Sequence, residues 1–151
     1  MSITREEAQS RVESSVQALR DAGLRLTHQR FEIVREIAGS DEHPDVETVY
    51  RAVRTKVPTI SLDTVYRTLA SLTDLGQVGR VDAATGPNRY DANMTHHHHF
   101  VCVRCGSIRD IVDERLDAVN APAGIASLGT IESVDVRFRG VCKECVEKGA
   151  G

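Results

Sequence analysis

Apolar residues recur at helical spacing through the first half of the chain. Val12, Val16 and Leu19 predict one helix over residues 12–22, which Gly23 ends. Thr27 is placed to N-cap a second helix, HQRFEIVREIAG, with Phe31, Val34 and Ile37 inward and Gly39 as its stop. Pro44 opens a third, DVETVYRAVRTK, and Pro58 closes it. Ser61 N-caps a fourth, LDTVYRTLASLTDL, with an apolar stripe of Leu62, Val65, Leu69 and Leu72 and Gly76 at its end. Two short strand-like runs follow, QVGRV and NRYD, with ATGP as the turn between them. A run of helices and then a hairpin is the element order of a winged helix.

From residue 98 the pattern changes. HHFVCV and SIRDI read as strands around a Cys-x-x-Cys turn, and DERLDAVNA reads as a helix. TIESVDVRFRGVC alternates Val134, Val136 and Phe138 against Asp135, Arg137 and Arg139, as a half-buried strand does. The expected fold is therefore α+β. A winged helix-turn-helix domain spans residues 1–88, and a small α+β domain spans residues 89–151.

Composition adds a constraint on the core. Aromatic residues make up 4% of the chain and Trp is absent, so the core must come from Val, Leu, Ile and Ala. The charged start, MSITREEAQS, offers no apolar leader, and no stretch is long enough to span a membrane; a cytoplasmic protein is expected. Net charge is -3, which argues weakly against nucleic acid as a partner. A phosphate backbone responds to the local field, however, so the sum decides nothing.

All four cysteines lie in two Cys-x-x-Cys pairs, Cys102 with Cys105 and Cys142 with Cys145. One pair alone would fit a redox motif. Two pairs predict a structural four-thiolate zinc site, because Zn²⁺ takes four soft ligands in a tetrahedron and each tight turn supplies two. The 36 residues between the pairs exceed a zinc ribbon, so the metal closes a small domain. That domain is short of apolar mass, which is where a staple helps.

The fourth helix carries Asp63, Thr64, Tyr66 and Arg67 opposite its apolar stripe, after Ser61. Hydroxyls, a phenol and a guanidinium on one face can meet base edges and phosphates in a major groove. An ordinary solvated helix face has the same residues. The helical pair before it and the hairpin after it favour DNA, with Arg80 in the wing available for phosphate. Residues 1–80 hold 11 basic and 12 acidic residues, so any basic surface must be made by folding.

THHHHFVCVRCG contains a run of four histidines. A purification tag is normally terminal, whereas this run leads straight into an apolar strand. Alternate side chains of a strand share a face, so His97 and His99 point one way and His96 and His98 the other. With Asp91, Asp110 and the distant His43, the first pair makes a nitrogen-and-oxygen metal site suited to Fe²⁺ or Mn²⁺. The spacing also fits a bland alternative, in which His43 caps the third helix and the His run is solvated.

The ordered motifs LRLTHQR, HPDVETVY, ISLDTVYRTLASLTDLGQV, HHHFVCVRCG and GVCKEC resemble the ferric uptake regulator family of bacterial metal-responsive repressors over about residues 15–147. The resemblance implies a homodimer that binds an inverted-repeat DNA operator. It also implies a winged helix, a dimerisation domain, structural Zn²⁺ on Cys102, Cys105, Cys142 and Cys145, and a regulatory Fe²⁺ or Mn²⁺. Residue by residue, His43, Asp91, His97, His99 and Asp110 match the regulatory ligands of the family's peroxide-sensing branch. Asp110 is the distinguishing one, since iron sensors usually have Glu there. In that branch Fe²⁺ splits hydrogen peroxide, a ligating histidine is oxidised and repression lifts. An iron-, manganese- or zinc-responsive repressor without peroxide sensing is the alternative. A metal-buffering protein and a small metalloenzyme are further readings; nothing in the sequence supplies a separate general base or substrate motif, so an enzyme is not expected.

Overall fold

The structure is a computed structural model that describes residues 3–149. It divides into two compact units: Met1–Ala83 with Pro87–Met94, and Ala84–Gly86 with Thr95–Gly151.

The first unit packs four helices and a hairpin. Helix α1 (Arg5–Asp21) starts seven residues earlier than its apolar stripe predicts. Thr4 and Glu7 form a reciprocal capping box, Thr4 Oγ1 accepting from the Glu7 N–H while Glu7 accepts from the Thr4 N–H. Helices α2 (His28–Ala38), α3 (Val46–Arg54) and α4 (Leu62–Asp74) begin at side-chain caps Thr27, Asp45 and Ser61. Gly23 and Gly76 follow α1 and α4 with φ of 74° and 70°, where a Cβ is disfavoured. Strands β1 (Gly79–Val81) and β2 (Arg89–Asp91) pair antiparallel as the wing, Gly79 opposite Asp91.

The core of this unit is aliphatic: Leu19, Ile33, Val34, Ile37, Val49, Val53, Val65, Leu69, Leu72 and Val78 are buried together. Two expected core residues lie elsewhere. Ile33 is buried in α2 in place of Phe31, which is half-exposed with the Arg35 guanidinium 5.9 Å from its ring centroid. Leu62, in the first turn of α4, is 49% exposed, because the turn enters the helix before it reaches the core. The buried Glu32 of α2 pairs with Arg35 at 3.3 Å and with Lys56 at 3.7 Å. Lys56 lies in the turn before α4, so this ion pair ties that turn to α2.

The second unit is a three-stranded sheet in the order β4-β3-β5. Strand β3 (His98–Cys102) runs antiparallel to β4 (Ile108–Ile111) and parallel to β5 (Arg137–Gly140). Short helices α5 (Glu114–Asp117) and α6 (Lys143–Gly149) complete it. The long helix expected over DERLDAVNA stops after one turn. Asn120, Pro122 and Gly124 oppose its continuation, and Val119 finds no core to cover it. The C-terminal strand is also shorter than its alternation suggests. Its ladder starts where Arg137 meets His99, and Phe138 is 46% exposed while Val134 and Val136 are half-buried.

Candidate metal centres

The four cysteines converge within the second unit. Cys102 ends β3, Cys105 closes the turn before β4, Cys142 precedes α6 and Cys145 lies in its first turn. The four sulfurs lie within 4.8 Å of one another, and Cys105 and Cys142 are 3.7 Å apart. Four Zn–S bonds of about 2.3 Å in a tetrahedron require sulfur separations of roughly 3.8 Å. The donor set therefore fits zinc in number, chemistry and spacing.

The local electrostatics also favour a metal. Backbone N–H groups of Cys142 (3.3 Å) and Cys105 (3.5 Å) point at the buried Cys102 sulfur and pull its pKa down to about 6. Contacts with Ser107 hold Cys105 below the usual thiol range. Cys145 is pushed up to about 12, first by its side-chain hydrogen bond with Cys142 and then by that with Cys105, both of which favour its protonated form. A divalent ion supplies the positive charge that lets it ionise.

The first unit holds a His/Asp pair. His43 and Asp91 are both buried, and His43 Nε2 is 3.2 Å from Asp91 Oδ2. Strand β2 brings them together. The Tyr90 N–H donates to the Pro44 carbonyl at 2.9 Å, and Arg89 Nη1 donates to the His43 carbonyl at 3.0 Å. Asp91 Oδ1 in turn accepts from the Asn93 N–H at 2.8 Å. His43 has φ of 53°, the one non-glycine residue with positive φ among those described. That backbone costs a residue with a Cβ roughly 1–2 kcal/mol. Helix α3 is capped by Asp45, whose carboxylate accepts from the Thr48 N–H at 2.8 Å, so His43 is not its cap.

The second unit contributes His97, just before β3, with His99 on β3 and Asp110 on β4. His99 is opposite Asp110 in the antiparallel register. Asp110 Oδ1 lies 3.3 Å from His97 Nε2 and 3.5 Å from His99 Nε2. The two imidazoles stand 4.7 Å apart, on one side of the strand as alternation requires. His97 Nδ1 faces the Thr95 carbonyl at 2.5 Å. A carbonyl can only accept, so Nδ1 carries a proton, and Nε2 is the ring atom turned towards Asp110. A metal-ligating histidine is commonly oriented in this way.

His96 and His98 occupy the other side, with ring centroids 5.0 Å apart. They gather Asp117, which the sequence reading missed: its Oδ1 is 2.7 Å from His98 Nε2 and 3.4 Å from His96 Nε2. His98 is fully buried, and its Nδ1 accepts the Val136 N–H at 3.0 Å. Nε2 must then carry the proton and donate to Asp117. His98 thus ties the start of β5 to α5.

The residues expected to read DNA lie at the start of α4 and in the wing. Tyr66 is 56% exposed, and Arg67 pairs with Asp63 at 2.9 Å on open surface. Thr64 and Ser61 share a hydroxyl bond of 2.8 Å inside the helix cap. Arg80 is exposed on β1.

A hairpin wing after a helix-turn-helix, with a thiolate cluster and separate His/Asp donors, defines a winged-helix metalloregulator architecture. The chain belongs to the Ferric uptake regulator family, whose model matches residues 21–136. It is 35% identical over 149 residues to the Peroxide-responsive repressor PerR of Staphylococcus epidermidis, covering 99% of both chains. Among solved structures it is similar to the ferric uptake regulator Fur of Helicobacter pylori, which has three functional metal binding sites. That match has a TM-score of 0.75 and 25% identity, covering 92% of this chain and 93% of the other. PerR from Streptococcus pyogenes, solved for its peroxide sensing and gene regulation, matches with a TM-score of 0.51 and 28% identity over 89% and 92% of the two chains.

Proposed function

We propose that the chain is a metal-dependent, DNA-binding transcriptional repressor that senses hydrogen peroxide. The His43 and Asp91 pair and the His97, His99 and Asp110 set together hold one regulatory ion, Fe²⁺ or Mn²⁺. Cys102, Cys105, Cys142 and Cys145 hold structural Zn²⁺. The observation that carries this reading is the separation of donors. The thiols are gathered into one cluster, and the His97, His99 and Asp110 set contains only nitrogen and oxygen. Such a set suits Fe²⁺ and Mn²⁺. When bound, Fe²⁺ supplies the electrons that cleave the peroxide O–O bond beside its own ligands.

The protein's part is to hold imidazoles where that oxidant reaches them. His97 is fixed by the Thr95 carbonyl and His43 by the β2 contacts, so each ring is presented in one orientation. An oxidised imidazole is a poor ligand, and its loss releases the ion and the DNA. The chemistry consumes the protein's own side chain and turns over no substrate, so the chain is not an enzyme. Exposed Leu128, Ile131, Phe138 and Val146 support a second copy as the cover of the second unit, and a homodimer matches an inverted-repeat operator. Ser61, Asp63, Thr64, Tyr66, Arg67 and Arg80 supply the DNA contacts. No helix among the described residues is long and apolar enough to cross a membrane, which is compatible with a cytoplasmic repressor.

A DNA shift assay with the zinc-loaded dimer tests the reading. Binding should require Fe²⁺ or Mn²⁺, and peroxide should abolish it only for the Fe²⁺ form. Binding that ignores metal would remove the repressor reading. Fe²⁺ protein that keeps its DNA after peroxide would leave a plain metal sensor.

A further inference from the structure

Arg89 stands between the wing and the loop that opens α3. Its Nη1 donates to the His43 carbonyl at 3.0 Å, and its neighbour Tyr90 donates to the Pro44 carbonyl at 2.9 Å. Two adjacent residues of β2 therefore grip two adjacent peptides of the His43–Pro44 loop. The gripped peptide follows His43, whose φ of 53° is unusual for a residue with a Cβ. Such a backbone persists only where surrounding contacts hold it.

We infer that Arg89 is a positioning residue for the regulatory metal: its guanidinium holds the His43 peptide in the left-handed conformation that turns the imidazole towards Asp91. This rests on the reading that His43 and Asp91 are ligands of the regulatory ion. Arg89 touches no metal itself. As a cation near a cation site it weakens binding by simple Coulomb repulsion. As a clamp on a ligand's backbone it strengthens binding. The two roles predict opposite signs when the side chain is removed, which makes the inference testable without reference to repression.

The test titrates Mn²⁺ alone into the full-length, zinc-loaded dimer of wild type, Arg89→Met, Arg89→Lys and His43→Ala, by calorimetry. Thermal midpoints and zinc content are measured on the same samples. Loss of an outer-shell partner typically costs about 10–100-fold in metal affinity. Arg89→Met should bind Mn²⁺ weaker by that order, with zinc content unchanged. Arg89→Lys keeps the charge and one donor but not the rigid fork, and should fall between wild type and Arg89→Met. His43→Ala should be weaker still. If Arg89→Met binds as well as wild type or better while His43→Ala is weakened, Arg89 does not position the ligand and the inference fails. If His43→Ala binds Mn²⁺ like wild type, the ligand assignment itself fails, and the role of Arg89 with it. Should Arg89→Met not fold, Arg89→Lys decides: affinity reduced several-fold supports positioning, and unchanged or tighter binding overturns it.

Discussion

The two units are stabilised in different ways. The first buries an apolar cluster, aliphatic apart from Tyr90, that runs from Leu19 to Ala92. The second, among the described residues, buries only Val101, Cys102 and Ile108 as apolar side chains, and leaves Val112, Leu128, Ile131, Phe138 and Val146 open. Its fully buried polar residue is a histidine, and its strands have four or five residues. Burial at roughly 25 cal/mol per Å² of apolar surface can hold the first unit. It falls short in the second, where hydrogen-bonded imidazoles and a cross-linking metal must substitute. The lesson is that the four-cysteine zinc site lies where the hydrophobic core is thinnest.

The largest effect that would break this contrast is loss of zinc. Chelation, or Cys142→Ser, should unfold the second unit and abolish the dimer, since structural zinc contributes on the order of 10 kcal/mol or more to folding. The first unit should keep its helices. Circular dichroism and gel filtration check both halves; a Cys142→Ser protein that stays a folded dimer would contradict the contrast.

Next in size is Leu69→Ala, at the centre of the aliphatic cluster. It should destabilise the first unit by about 2–5 kcal/mol, through lost burial and a residual cavity. Zinc affinity should be unchanged. Denaturant unfolding monitored beside a zinc titration measures both quantities.

Tyr66→Ala and Arg67→Ala come third. Both side chains are exposed and hold no core, so melting and metal content should stay as in wild type. Operator affinity should fall by roughly 1–3 kcal/mol for a lost base contact, and a lost phosphate contact should also flatten the salt dependence. Unchanged affinity and salt slope in both variants would place another element in the groove.

The smallest effect is a pH dependence of zinc binding. Near neutral pH the Cys145 thiol, raised to about 12, must give up its proton to the incoming metal. Zinc affinity therefore rises with pH. Cys102, lowered to about 6, is already a thiolate near neutrality. As pH falls through about 6 it takes up a proton that zinc must also displace, and the stability that its ionised form contributes is lost. A competitive chelator titration on either side of that value should show the slope steepening on the acid side.

Apart from the distant His43, which donor chemistry and family resemblance single out, what could be read from the sequence was local. Thr27 and Ser61 were legible as caps because a cap bonds its own helix three residues on. The cysteine pairs were legible because each turn supplies two ligands, and the alternation of the histidines because a strand imposes it. The start of α1 is not legible from the apolar stripe, because its Thr4–Glu7 capping box lies a full two turns before Val12. Phe31 and Leu62 were misplaced because one helix wheel cannot say which neighbours cover its rim. Asp117 and Arg89 were missed for another reason. Their partners, His98 and the His43 carbonyl, lie 19 and 46 positions away, and no spacing rule reaches that far.

The central claim is that the nitrogen-and-oxygen donors hold a peroxide-reactive ion. It is tested most directly by mass spectrometry of the Fe²⁺-loaded protein after one equivalent of hydrogen peroxide, with the Mn²⁺ form as control. One added oxygen should map to His43 or His97. His96 and His98 should be untouched, since they stand on the other side of β3 and His98 is tied to Val136 and Asp117. The Mn²⁺ form should carry none. Oxygen found only on the cysteines, or equally on all four histidines of the run, would contradict the account.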